Sequence, residues 1–359
     1  MSPVSRGRKA KNKNKKKPAG LDPELRAGFD EALEAFEEVV DSDDVLDVEL
    51  LTAEILGSFW LPENPDAAAQ EVAFPLIGYA AAKQSPAGFG LLRALQALGP
   101  VEELRERAGT AADRLAALGM RELRWTGALR EVEVTECWQQ ADVYGDQVFL
   151  LFRCERGGRR HGLVVEIERF AGIDEIYLTT QEDEILAELR ENDDELLSTE
   201  RIPLPLARRI VEDAVAVTDS LPAQADDEEY PFTDARAYLL ARLRAMPAAE
   251  PRPEPKRYGD QVLDEFLATE KDADGEYLRL LAEFGEDVDE ADPLRVTPAK
   301  FELFLDDAFN EHEIDEEALR RTVLAFARWQ GARDGLSQAA VDHLRAEIEE
   351  MFAAGEVPA

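Results

Sequence analysis

The amino-acid sequence predicts an α+β fold that is predominantly helical. It has a helical-hairpin N-terminal part, a small four-stranded antiparallel sheet with covering helices, and a helical C-terminal domain. Alanine- and leucine-rich stretches with helical spacing of apolar residues occupy both ends of the chain, and strand-like alternation appears only in its middle. A proline-rich stretch at 247–257 separates the two regions. With 359 residues, the chain is long enough for several domains with cores of their own.

These patterns divide the chain into five segments. Residues 1–20 carry no apolar residues at helical spacing, which predicts disorder. Four prolines within 247–257 exclude helix and strand and predict a stiff, extended linker. The predicted segments are a disordered basic tail (1–20), a helical domain (21–127), an α+β domain with the antiparallel sheet (128–245), the proline-rich linker (246–257) and an acidic helical domain (258–359).

The helical domain begins with a clear start signal, since Asp22 is placed to cap a helix and Pro23 occupies its first position. One face of this helix carries Leu25, Phe29, Leu33, Phe36 and Val40. A second helix is expected over about 45–60, and three more between 66 and 119, with Ser85-Pro86 and Gly99-Pro100 as boundaries of the middle one. The tight turns resemble stacked helical hairpins of the HEAT type. Because no strict repeat is present, an ordinary bundle is equally consistent.

The α+β domain contains four runs of strand-like alternation. They are Leu129–Trp138, Asp146–Cys154, His161–Glu168 and Ile173–Thr180. Gly157-Gly158 form a two-residue turn between the central pair, because such a turn needs positive φ angles. This turn fixes the register, and one face of the hairpin becomes wholly apolar. Its opposed pairs are Val148 with Ile167, Leu150 with Val165, and Phe152 with Leu163.

The other face of this hairpin is mixed. Leu151 lies opposite Val164, and Arg153 lies diagonal to Glu166, where the two charges can pair. Helices at about 181–191 and 203–219 are expected to cover the apolar face.

The C-terminal domain is predicted to contain five helices. Thr297-Pro298 opens one of them, with Phe301, Leu305 and Phe309 buried. Asp315 opens another, and Gly331 is expected to stop it; its apolar residues are Leu319, Val323, Phe326 and Trp329. Ser337 is placed to cap the last helix.

Charge is distributed very unevenly along the chain. The formal net charge is −36, from 41 basic and 77 acidic residues. Eight basic residues lie in the tail, which has no acid, so the rest of the chain has 33 basic and 77 acidic residues, a charge of −44. Such a body repels nucleic acids and anionic membranes, and only the tail can attract them. The tail cations are Arg6, Arg8, Lys9, Lys11, Lys13, Lys15, Lys16 and Lys17.

The cellular location is predicted from features that are rare or absent in the sequence. Cys137 and Cys154 are too few for a disulfide scaffold and indicate a reducing compartment. No apolar stretch follows the basic N-terminus, so a secretory signal is not expected, and no stretch is long and apolar enough for a transmembrane helix. We therefore predict a cytoplasmic protein without a membrane partner.

Two groups of cations are candidate binding sites. The eight tail cations can contact the phosphates of RNA or DNA, but without aromatic neighbours they read no base sequence. A tail that only aids solubility, or that lies on the acidic body, is the alternative. Arg156, Arg159 and Arg160 form a candidate anion-binding cluster at the hairpin turn, although such clusters also keep hairpin tips solvated.

Residues suited to catalysis or metal binding are scarce. Cys154 lies opposite His161 in the predicted register, and such a pair can bind zinc or activate a nucleophile, but only Cys137 is an obvious third ligand. Asp307 and Glu311 lie one helical turn apart, for which a solvated face is the simpler interpretation. Phosphate-binding loops, nucleophile elbows and zinc-protease motifs are absent. We therefore predict no metal and no cofactor, and we assign no catalytic residue.

Four stretches resemble a family of cytosolic proteins from high-GC actinobacteria for which no activity is known. They are TECWQQADVYGDQVFLLF (135–152), HGLVVEIE (161–168), RAYLLARLRAMP (236–247) and FARWQGARDGL (326–336). The resemblance implies a cytosolic bacterial protein. It carries no functional residue onto this chain.

Two classes of function are consistent with these patterns. The first is a non-enzymatic interaction or adaptor protein, whose acidic helical body binds a protein partner and whose basic tail contacts RNA, DNA or a ribosome. The alternative is a hydrolytic or transferase-type enzyme, with a carboxylate-lined pocket between the helical and sheet parts. The sequence names neither the partner nor a substrate.

Overall fold

The computed structural model describes residues 21–59, 64–221 and 232–354. The basic tail and the predicted end of the second helix at Trp60 lie outside the described residues. The chain forms the predicted α+β fold, dominated by helices. The N-terminal helices are α1 (Pro23–Val39), α2 (Val45–Gly57), α3 (Pro65–Ala68), which continues through a π-helical turn (Ala69–Ala73) into α4 (Phe74–Lys83), α5 (Pro86–Leu98), α6 (Glu102–Ala117) and a short α7 (Thr126–Arg130).

The middle of the chain forms one antiparallel sheet with three helices. Its elements are β1 (Val132–Asp142), β2 (Gln147–Arg156), β3 (Arg159–Glu168), β4 (Gly172–Thr179), α8 (Glu182–Glu191), β5 (Leu197–Ile202), α9 (Leu204–Ser220) and α10 (Phe232–Ala245). The spatial order of the strands is β4-β3-β2-β1-β5. The C-terminal helices are α11 (Asp260–Thr269), α12 (Gly275–Val288), α13 (Pro298–Glu311), α14 (Glu316–Asp334) and α15 (Gln338–Ala354).

Side-chain caps start the helices where the sequence indicated. Asp22 accepts a hydrogen bond from the Glu24 amide (2.9 Å), and Ser85 Oγ accepts one from the Gly88 amide (3.1 Å). These bonds satisfy amides that have no partner inside the first helical turn. The same geometry at the starts of α13, α14 and α15 involves Thr297, Asp315 and Ser337.

The register of the central hairpin is confirmed. Phe152 pairs with Leu163 and Cys154 with His161. Gly157 and Gly158 form the turn with φ angles of 57° and 78°, a conformation that suits the twist of the flanking strands. A Cβ atom at Gly157 would also lie 2.9 Å from the Cβ of Ala128. Backbone conformation and close packing therefore both favour glycine at this position.

Four predictions about the sheet region were wrong. The first strand starts at Val132 because Trp125 and Leu129, four residues apart, are both buried and place the preceding residues in α7. A fifth strand, β5, pairs with β1. Arg153 contacts Glu136 on β1 (3.0 Å) rather than Glu166. Of the two helices predicted to cover the apolar face, only α9 does so, while α8 packs on the opposite face.

Two predictions about the C-terminal helices were also wrong. Phe309 is 39% exposed, since it lies at the edge of α13 rather than on its buried side. Gly331 lies inside α14 and is buried. The helix ends at Asp334, and Gly335 follows with a φ angle of 84°, the left-handed conformation that commonly ends helices.

The described residues form two large apolar cores. The first is continuous from α1 through the apolar face of the sheet to α9 and α10. The second consists of α11–α15 and receives Tyr144 from the β1–β2 turn. Tyr144 is 7% exposed, and its hydroxyl donates a hydrogen bond to the Ala340 carbonyl (2.7 Å). This turn therefore contacts the C-terminal helices directly.

The proline-rich stretch at 247–257 has no helix or strand and is almost entirely exposed. Its backbone is held at two points. The Glu250 amide donates to the Pro205 carbonyl (3.1 Å), and the Lys256 amide donates to the Ala291 carbonyl (2.8 Å). Within the described part of the chain, no helix is both long enough and apolar enough to cross a membrane.

Candidate functional site

The Cys154–His161 pair lies inside a buried polar cluster that joins the sheet to two helices. Glu49 of α2 accepts two hydrogen bonds from Arg242 of α10, at 2.8 and 3.0 Å. Arg156 Nη1 lies 3.0 Å from the same carboxylate, and Arg242 Nη2 lies 2.8 Å from His161 Nε2. We call Glu49, Cys154, Arg156, His161 and Arg242 the buried cluster; each of them is at most 2% exposed.

Electrostatics in the buried cluster fix the charge of its acid. Burial alone would raise the pKa of the Glu49 carboxyl, but the positive charges of Arg242 and Arg156 outweigh it and hold that pKa below its ordinary value. Burial lowers the pKa of Arg156 to about 10, so this guanidinium is charged at neutral pH. One carboxylate therefore sits between two guanidiniums, and the cluster has a net charge of +1.

The imidazole and the thiol of the buried cluster are both neutral. Burial, together with the charge of Arg242, lowers the pKa of His161 to about 4. Since a guanidinium can only donate, His161 Nε2 is the acceptor and Nδ1 carries the proton. Burial raises the pKa of both the Cys154 and the Cys137 thiols. A buried, protonated thiol is a poor nucleophile and a poor metal ligand.

The hairpin turn does not bring the three arginines of the predicted anion cluster together. Arg156 points inward to Glu49, while Arg159 lies 3.3 Å from Asp44. Arg160, on the other face of β3, contacts Glu182 (3.1 Å) and Asp183 (2.6 Å). Side chains alternate across a strand, which explains why neighbours in the sequence separate in this way.

A small cavity of about 110 Å³ lies beside this turn, between the N-terminal helices and the hairpin. Arg124, Arg156 and Arg159 line it together with Asp43. Arg124 contacts Asp43 at 2.6 Å. The guanidinium of Arg156 is shielded from solvent, and its Nη1 already lies 3.0 Å from the Glu49 carboxylate. The cavity thus offers an anion mainly arginines that already contact carboxylates.

Acidic residues near the ends of two C-terminal helices cap a helix or lie near the surface. Asp274 caps α12 by accepting a hydrogen bond from the Glu276 amide (2.7 Å). Asp307 and Glu311 lie near the surface at the end of α13. Across residues 21–59, 64–221 and 232–354, no group of three or more histidine, cysteine or acidic side chains is arranged to hold a metal ion.

A larger groove of about 710 Å³ runs between α1 and α2. We call it the α1–α2 groove. Its apolar lining includes Leu25, Phe29, Leu51, Ile55, Phe59 and Val72. Four carboxylates also line it: Asp22, Glu24, Glu31 and Glu54. Sequence patterns did not predict this groove, because it depends on how α1 and α2 are placed relative to each other.

The buried cluster was also only half predicted. The hairpin register placed Cys154 opposite His161, but Glu49 and Arg242 were missed. One signal was available: Glu49 lies on the buried face of α2, next to Val48 and between Val45 and Thr52. A charge at such a position needs a buried partner. The sequence does not say which arginine supplies it.

The eight tail cations, which are the predicted nucleic-acid contacts, lie outside the described residues. No protein-family model, curated protein or solved structure matches this chain.

Proposed function

We propose that this protein is a non-enzymatic adaptor, in which a rigid acidic body binds a protein partner and the basic tail contacts RNA or DNA. The separation of charge carries the proposal. The first 17 residues contain eight cations, and the remaining chain has a charge of −44. Phosphate groups are therefore attracted to the tail and repelled by the rest of the chain.

The surface of α1 supports this proposal, because the change of charge is abrupt. Five exposed glutamates lie on this helix, which follows the tail directly: Glu24, Glu31, Glu34, Glu37 and Glu38. Phosphates that contact the tail are therefore repelled by the surface beside it. We expect the tail to extend away from the body when nucleic acid is bound.

The buried cluster supports a non-enzymatic role. Its thiol is protonated, its imidazole is neutral, and its carboxylate is bound by two guanidiniums. None of these groups is open to a substrate, since each residue is at most 2% exposed. Groups in this arrangement specify packing rather than acid–base or nucleophilic chemistry. The free thiols of Cys137 and Cys154 fit our proposal of a cytosolic location.

Tail-dependent binding has a characteristic salt dependence. Eight phosphate contacts set a ceiling of roughly −7 on the slope of log K against log salt for a duplex, and about −5.6 for a single strand. The acidic body competes for the same cations, so we expect a shallower slope. Binding should also be indifferent to base sequence, because the tail has no aromatic residue for stacking.

Three proteins test the proposal: the full chain, a chain that begins at Leu21, and a full-length variant with the eight tail cations replaced by glutamine. Each is titrated with unrelated RNA and DNA at two salt concentrations. We expect binding by the full chain alone. The glutamine variant separates charge from tail length. Equal binding by all three proteins, or by none of them, contradicts the proposed role of the tail.

A further inference from the structure

The α1–α2 groove has the form of a trough for a third helix. Its apolar residues on α1 and α2 follow helical spacing, as Leu25, Phe29 and Ala32 do on one wall and Leu51 and Ile55 on the other. Two such stripes side by side are the arrangement that accepts an amphipathic helix by its apolar face. The groove is large enough for several apolar side chains, at about 710 Å³.

The charges that line the groove indicate which charge its occupant carries. Asp22, Glu24, Glu31 and Glu54 line it, and no ion pair to any of them occurs within the part of the chain that the structure describes. Elsewhere on the body, acids such as Asp30 and Asp213 contact lysine or arginine. Asp22 also caps α1, but none of the four carboxylates has a cation beside it among the described residues. They match a segment with cations on both sides of an apolar stripe.

Gly28 marks open space in this groove. It lies on α1 among the lining residues, and a Cβ atom built on it meets no atom within 4 Å. A side chain at Gly28 therefore begins in open space beside the lining of the groove. Glycine also stabilises a helix less than most residues do, so replacing Gly28 should not destabilise α1.

We infer that the α1–α2 groove binds a basic amphipathic helix of a partner protein. This inference rests on the proposed adaptor function and names the kind of partner that the body binds. The tail of the same chain is a poorer occupant. It supplies eight cations but no apolar residues at helical spacing, so it matches the carboxylates and leaves the apolar lining exposed to water.

The experiment uses the full chain and a fluorescent peptide of about 18 residues, roughly five helical turns. The peptide contains only leucine and lysine, with the leucines at helical spacing. Gly28→Leu fills the groove, and Glu31→Lys with Glu54→Lys reverses two of its charges. The matched control is Glu34→Lys with Glu37→Lys, which makes the same charge change on exposed residues of α1 outside the groove.

We expect both groove variants to weaken peptide binding by about tenfold or more, and the control by no more than about twofold. A peptide with serine in place of leucine should bind about as weakly to the unaltered protein as the leucine peptide binds to Gly28→Leu. Circular dichroism checks that each variant is folded. If Gly28→Leu does not fold, the charge-reversal variant and its control still decide the outcome.

Four results would overturn the inference. They are equal weakening by the control, equal binding of the serine peptide, no binding of the leucine peptide, and tenfold tighter binding after removal of residues 1–20. The last would identify the tail as the occupant. RNA binding by Gly28→Leu is measured in parallel and should match that of the unaltered chain. The experiments can thus disprove peptide binding by the groove without disproving RNA binding by the tail, and they can also disprove RNA binding by the tail alone.

Discussion

Glu49 and Arg242 form a bidentate ion pair that is completely buried. The pair joins α2 to α10 across 193 positions of sequence, with nitrogen–oxygen distances of 2.8 and 3.0 Å. Arg156 at the end of β2 adds a third charge 3.0 Å from the same carboxylate. The N-terminal helices, the sheet and α10 thus meet at one carboxylate. Removing it should weaken both ion pairs together.

Glu49→Gln is expected to lower the free energy of unfolding by about 3–5 kcal/mol, because it leaves two buried guanidiniums without a countercharge. Urea denaturation followed by circular dichroism measures the change. The matched control is Glu54→Gln on the exposed side of the same helix, for which we expect at most about 0.5 kcal/mol. A loss below about 1 kcal/mol for Glu49→Gln would show that the cluster does not hold these elements together.

Stability should fall as the pH drops below neutrality, and His161 provides the reason. Its pKa is about 4 in the folded protein and about 6.5 in an unfolded chain. Between these values the unfolded state binds a proton that the folded state excludes, so protonation favours unfolding. The loss approaches about 3 kcal/mol at the lower end of the window. Glu49, whose pKa is also lowered, adds to the loss as its own pKa is approached.

Unfolding free energies at pH 7.5 and pH 5 test this expectation. His161→Gln should show a smaller fall between the two values than the unaltered protein does. His312 lies exposed at the end of α13. His312→Gln serves as the control and should lose as much unfolding free energy between the two pH values as the unaltered protein does. Titration of the His161 ring by NMR gives a direct check. A midpoint near 6.5 would contradict its burial beside Arg242.

Local signals predicted much of this fold. Gly157-Gly158 and the alternation around them were sufficient to place Phe152 opposite Leu163, since a slip of one residue would expose the apolar face. Caps such as Asp22 and Ser85 gave the helix starts for the same reason: the side chain and the amide that it binds are neighbours in the sequence.

Features that depend on distant partners were not predictable in this way. The strand β5 (Leu197–Ile202) has apolar residues only at its two ends, and it forms by pairing with β1, some 60 residues earlier. The Glu49–Arg242 pair poses the same problem over a longer separation. The α1–α2 groove depends on how two helices are placed.

The two thiols should resist alkylation in the folded protein. Cys137 and Cys154 are at most 2% exposed, and burial raises the pKa of both thiols. At pH 8 we expect reaction with iodoacetamide only after denaturant is added, as measured by mass spectrometry. Rapid labelling of native protein would contradict the burial of β1 and β2. Elemental analysis of the same sample should find no stoichiometric zinc.

The linker prediction can be tested with trypsin, which cuts after lysine and arginine. The segments 60–63 and 222–231 contain no lysine or arginine, and Arg252 is followed by proline, which blocks cleavage. We expect early trimming of the basic tail, followed by a cut after Lys256 or Arg257. Both residues are exposed and lie outside helix and strand.

The fragment that begins near Tyr258 and ends at Ala359 should then persist and remain helical, because α11–α15 have an apolar core of their own around Phe266, Phe304 and Phe326. The fragment gives up the contact of Tyr144 with Ala340, the hydrogen bond from the Ala299 amide to Asp146 and the Arg169–Asp289 ion pair. It should therefore be less stable than the same helices in the whole chain. A variant with Lys256→Gln and Arg257→Gln is the control and should keep the two parts joined over the same time. First stable cuts inside α11–α15 would instead show that these helices need the sheet and the β1–β2 turn to fold, and that the C-terminal part is not a separate domain.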